Sequence, residues 1–162
     1  MDPIMFAAWA KVGAAAAVSL AAAGSALGTG AAGSAAVGAW KKCFVQKKPA
    51  PFQLAVFAGA PLSQTIYGMI LMFILKGKAD LIAEAVEKGT ALANMDAVFL
   101  LWAGIFGGAA MGVSAWMQGK AAAGASDSFA ETEKGFTNNL LVLGIIETAA
   151  LFVMAFLIVI LG

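Results

Sequence analysis

From Val12 to Trp40 no residue carries a charge, and the only polar side chains are those of Ser and Thr. A run of that length is too long for the strand or core helix of a soluble domain, whereas a helix that crosses a bilayer needs about 20 apolar residues. Three more runs of the same kind follow, roughly Phe52–Leu75, Ala97–Gly119 and Phe136–Leu161. None shows the alternation of a membrane barrel strand, and backbone groups inside a bilayer must be satisfied within the segment, so all four read as helices. The expected fold class is therefore all-α and integral to the membrane, with four transmembrane helices. Composition agrees: 62% of residues are apolar and 12% charged, against about 25% charged in ordinary soluble domains. The chain has no His and no Arg, and Cys43 is its one cysteine. That excludes imidazole metal sites, His general bases, arginine fingers and a disulfide within the chain. A net charge of +1 gives no electrostatic case for binding nucleic acid.

The loops set the orientation. Lys41, Lys42, Lys47 and Lys48 crowd the first connection, which holds no acid and closes with Pro49 and Pro51. The positive-inside rule puts the Lys41–Pro51 loop in the cytoplasm of a multi-pass protein of the cell membrane. Both termini and the Lys76–Asp96 loop then lie on the outer side, and the Lys120–Lys134 connection returns to the cytoplasm. The start does not read as a secretory leader, because Asp2 is acidic and the apolar run after Lys11 is far longer than a leader's apolar core. Helix-forming residues between Asp80 and Thr90 are expected to lengthen a neighbouring helix beyond the bilayer.

Spans one and three are rich in small residues, as in Gly24-Ser-Ala-Leu-Gly28 and Gly104-Ile-Phe-Gly-Gly108-Ala-Ala-Met-Gly112. Glycines four apart share a helix face and let another helix approach closely. Spans two and four are bulkier, and Gln64-Thr-Ile-Tyr aligns with Glu147-Thr-Ala-Ala. The order thin, bulky, thin, bulky suggests two tandem helical hairpins, 1–78 and 79–162, with the small-residue helices inside and the bulky ones toward lipid.

Glu147 stands alone near the centre of the fourth span. A carboxylate at that depth costs at least about 2.5–3.5 kcal/mol, so it needs a proton, a cation or a polar partner. Residues equidistant from a hairpin turn lie at equal depth. That construction sets Gln118 beside Glu147 and Gly28 opposite Gln64, so the first hairpin lacks the acid. Around Gln64, Pro61 removes an amide donor and leaves the carbonyl of Phe57 unpaired. Ser63, Thr65, Gln64 and Gln118 offer oxygens, and with one carboxylate they make a cage suited to a small hard cation. Tyr67, one turn from Ser63 and Gln64, is placed to donate its hydroxyl to the carboxylate. A proton alone would need only the carboxylate and one or two partners; the surplus of oxygens favours Na+.

The segments Pro61-Leu-Ser-Gln-Thr-Ile-Tyr-Gly68, Gln118-Gly-Lys-Ala-Ala-Ala-Gly124 and Ile146-Glu-Thr148, with the glycine-rich first span, resemble the proteolipid (K or c) subunit of V-type ATPases in its duplicated four-helix form. The resemblance implies a non-catalytic, ion-translocating subunit that assembles with copies of itself into a lipid-embedded rotor ring. It also implies a stator membrane subunit and central-shaft subunits as partners, the shaft meeting the cytoplasmic loops. By the same resemblance Glu147 is the ion carrier, with Gln118, Gln64, Ser63, Tyr67 and the backbone carbonyl of Ala60 completing a bacterial sodium-type site. Ser63 stands where the family has Thr and keeps the hydroxyl; Ala60 stands where it has Leu. No organic cofactor is implied, Na+ or H+ being the transported ion. Small proton-coupled multidrug exporters also have four helices and one membrane-embedded Glu, but theirs lies in the first helix of a shorter chain.

Overall fold

A computed structural model describes residues 3–89 and 94–162. The described chain is helical: α1 (Pro3–Val45), α2 (Leu54–Gly59), a 3-10 turn (Ala60–Leu62), α3 (Ser63–Glu87), α4 (Asn94–Thr132) and α5 (Phe136–Leu161). Four stretches are long and apolar enough to cross a membrane: Met5–Val45, Leu54–Glu87, Ala97–Thr132 and Phe136–Leu161. The last agrees with the sequence reading, and the other three run on past the apolar limits. At a rise of 1.5 Å per residue, the 43 residues of α1 span about 65 Å and the 26 of α5 about 39 Å. Charged residues end an apolar run without ending a helix. At the end of α3 the i,i+4 pairs Lys76–Asp80 (2.6 Å) and Glu84–Lys88 (2.5 Å) carry the helix on. The division between residues 78 and 79 falls inside α3; Thr90, the end of the stretch expected to extend a helix, lies outside the described residues.

α1 and α4 form the centre and run in the same direction. Gly13 meets Gly104, Gly24 meets Gly112 and Gly28 meets Gly119, so contacts climb both helices together. At each of these places a Cβ would overlap backbone atoms of the partner helix. Glycine is required there by close approach, as the small-residue pattern suggests. The pattern describes one face only. α4 carries Trp102, Phe106 and Trp116 on a face where they are 48%, 67% and 42% exposed, so the inner helices are not thin all round. Lys120 lies over the Trp116 ring at 4.3 Å, an arrangement that fits a membrane-edge lysine and gives it no part in a site.

α3 and α5 flank the central pair. Two apolar clusters result, one around Ala10, Ala17, Leu71, Leu75 and Met111, the other around Ala36, Leu54, Phe57, Ala122 and Phe129. Phe57, Phe129 and Phe136 close the second with ring centroids 5.3–6.1 Å apart. Trp40 Nε1 donates to the carbonyl of Pro51 at 2.7 Å and ties down the lysine-rich loop. Between the two clusters lie the fully buried amides of Gln64 and Gln118.

Candidate ion site

Pro61 sets the local geometry. Its missing N–H breaks the α pattern, and the chain passes through a 3-10 turn before α3 begins at Ser63. The expectation that Phe57 keeps a free carbonyl is corrected: the Ala60 N–H reaches both Phe57 O and Val56 O. The tighter turn supplies a donor one residue earlier than a regular helix would. The carbonyl next to side-chain oxygens is that of Ala60. The Ser63 hydroxyl lies 3.2 Å from it and 3.2 Å from Gln64 Oε1.

From there a chain of contacts crosses the bundle. Gln64 Nε2 donates to Gln118 Oε1 at 2.9 Å. Gln118 Nε2 spends its two hydrogens on the carbonyl of Leu143 at 3.0 Å and on Glu147 Oε2 at 3.3 Å. Tyr67 donates its hydroxyl to Glu147 Oε1 at 2.6 Å, a short, charge-assisted bond when the carboxyl is ionised. Glu147 and Tyr67 are half-buried. The carboxyl is thus gripped from α3 and α4 while it rides on α5.

The structure brings together Ala60 (backbone), Ser63, Gln64, Tyr67, Gln118 and Glu147. Thr65 stands apart: among the described residues no hydrogen bond joins it to this network, because one residue after Gln64 is a turn of about 100° around the helix. Ser114, which the sequence reading did not single out, donates to the carbonyl of Ile146 at 2.9 Å and fixes α5 next to Glu147. It lies four residues before Gln118, hence on the same face, and that spacing was the available signal.

Among the described residues no three His, Cys, Asp or Glu side chains cluster as a metal site. A cation beside Glu147 would meet one carboxylate and neutral oxygens, which matches a single positive charge better than a divalent ion.

Residues 101–160 match the family model for the C-type subunit of ATP synthase. The match covers most of α4 and nearly all of α5 and includes Gln118 and Glu147. In this hairpin the chain is similar to the proteolipid subunits of rotary ATPases. No curated protein matches the chain.

Proposed function

We propose that the chain is a rotor-ring subunit of a V-type rotary ATPase, built from two tandem hairpins, in which Glu147 carries Na+ across the membrane. The observation that carries this reading is one carboxyl, mid-way along the most apolar helix, held by a phenol and a carboxamide from two other helices. The match of residues 101–160 to a rotary-ATPase family supports it.

The mechanism follows from charge and depth. A neutralised carboxylate can pass through lipid; a bare one is too costly. Each Glu147 faces lipid with its ion bound and gives it up where a stator subunit offers water and a fixed positive charge. It then reloads from the opposite side of the membrane. ATP chemistry belongs to other subunits. Gly119-Lys120 is followed by Ala121, so no phosphate loop is present there. The lysine-rich 41–51 loop faces the cytoplasm and meets the shaft. For the ion, Ala60 O, Ser63 Oγ, Gln64 Oε1 and Glu147 favour Na+, whereas the Tyr67 and Gln118 contacts alone would suffice for H+.

Carbodiimide, which attacks a protonated buried carboxyl, tests this on the assembled protein. Labelling at Glu147 that Na+ suppresses is the expected result. Labelling that answers to pH alone would change the ion to H+, and no labelling under any condition would remove the transport reading. Tyr67→Phe deletes the 2.6 Å bond without changing the ring's bulk. The concentration of Na+ giving half-protection should rise about tenfold, as expected for one lost hydrogen bond to a charged group. Unchanged protection would show that the phenol does not hold the loaded site.

A further inference from the structure

Two buried hydroxyls, Ser25 on α1 and Ser126 on α4, have no hydrogen-bond partner among the described residues. Ser25 is 2% exposed. A helix-buried hydroxyl commonly bonds back to a carbonyl one turn earlier, as Thr29 does to Ser25 O at 2.8 Å. Ser25 makes no such bond, and nothing assigned so far to the site involves α1.

Its position is fixed by the neighbours. A Cβ on Gly28 would meet Pro61 Cβ at 2.9 Å, and one on Gly68 would meet Ala21 Cβ at 2.6 Å, so residues 21–28 run antiparallel to residues 61–68. Ser25 is three residues before Gly28, and Gln64 is three after Pro61; the two are level. On the other side Gly28 touches Ala115 and Gly119, which brings Gln118 within about one turn of the same level.

The glutamine pair has matching vacancies. An amide offers two hydrogens and two lone pairs. Gln64 Nε2 uses one hydrogen, on Gln118 Oε1, and that oxygen accepts one bond among the described residues. Both glutamines are 0% exposed. A spare N–H, a spare lone pair and a spare hydroxyl, all buried at one level of three facing helices, are the complement of one water molecule.

We infer that Ser25 holds a buried water against the amides of Gln64 and Gln118, so that α1 closes the ion site and Ser25 is a positioning residue for it. The water keeps the N–H side of Gln64 turned toward α1 and α4. Its Oε1 then stays turned to Ser63, where the ion would bind. Without the water the amide is free to rotate by a half-turn and present hydrogens to a cation. The inference rests on the reading that Glu147 carries an ion.

The test uses the assembled protein with Ser25→Ala and Ser25→Cys, the second keeping the side chain's shape while bonding weakly. Ser126→Ala is the control. It lies two turns along α4 from Gln118, and its hydroxyl is equally orphaned. Two quantities are read: the Na+ concentration that half-protects Glu147 from carbodiimide (or the pH of half-labelling, if labelling answers to pH alone), and the thermal unfolding midpoint without added ion. Both Ser25 variants should raise the half-protecting concentration, or shift that pH correspondingly, about tenfold and lower the midpoint, while Ser126→Ala leaves protection unchanged. Unchanged protection with an unchanged or raised midpoint in Ser25→Ala would overturn the inference, because a methyl replacing a truly orphaned hydroxyl relieves the protein. A parent protein whose Glu147 labelling ignores both Na+ and pH would instead overturn the ion reading. The midpoint would still decide the bridge, a fall supporting it and a rise refuting it.

Discussion

Glu147→Gln is expected to abolish ion transport by the assembled complex while leaving the subunit folded in the membrane. Glutamine has nearly the same shape and can still receive the Tyr67 hydroxyl, which lies 2.6 Å from the carboxyl. Its amide cannot ionise, so it can neither exchange a proton nor neutralise a cation. Because one carboxyl per chain carries the charge, no second group substitutes for it. Transport coupled to ATP should fall at least about 100-fold, to background, if the acid accounts for the several kcal/mol by which an oxygen site without charge binds a cation less well. Measured on reconstituted vesicles, transport within a few-fold of the parent would refute the carrier role. A structural role for the acid predicts the opposite, since glutamine removes the burden of a charge at mid-membrane depth.

The other large effect concerns the seam between α1 and α4. A Cβ on Gly24 would overlap the carbonyl oxygen, carbonyl carbon and Cα of Gly112. All three are backbone atoms, so no side chain can swing aside and the helices must part. Gly24→Ala should therefore lower stability by about 1–3 kcal/mol, the range for overpacking a close-packed core, despite alanine's better helix propensity. Gly77→Ala is the matched control. Gly77 lies within α3 with nothing within 4 Å of a Cβ there, so the change should stabilise by about 0.5–1 kcal/mol. Unfolding titrations in detergent measure both. Equal effects of the two substitutions would mean that the seam is looser than its geometry states.

Much of this arrangement is legible in the sequence. Depth counted from the hairpin turn sets Gln118 beside Glu147, and the two are 3.3 Å apart. The count works because two helices sharing a turn share a rise per residue. Tyr67 is legible for the same reason that Thr65 is not. Both have oxygens, but only one lies on the face that Gln64 occupies. The carbonyl of Phe57 shows a different limit. Proline removes a donor with certainty, yet how the chain finds another depends on backbone angles that composition does not encode, and here a 3-10 turn supplies it. The ends of α1, α3 and α4 escape a hydropathy reading because hydropathy marks where lipid would end, while helices end where backbone bonding does. In the sequence Ser25 belongs to a small-residue stripe. The stripe explains its size and says nothing of its hydroxyl, whose isolation becomes visible only when three helices are placed together.

The contrast between the two kinds of packing in this bundle has a mechanical meaning. α1 and α4 touch backbone to backbone at Gly13–Gly104, Gly24–Gly112 and Gly28–Gly119, with no flexible side chains between them to act as cushions. α5 has the least buried apolar stretch of the four spans and is pinned to its neighbours by a few polar bonds near its middle. A sideways load at Glu147 therefore meets a soft element mounted on a stiff one. Strain gathers in α5 and its hydrogen bonds, while the central pair passes torque along its length with little loss. In the proposed rotor, the compliance that lets one carboxylate lag its neighbours during loading resides in that single outer helix.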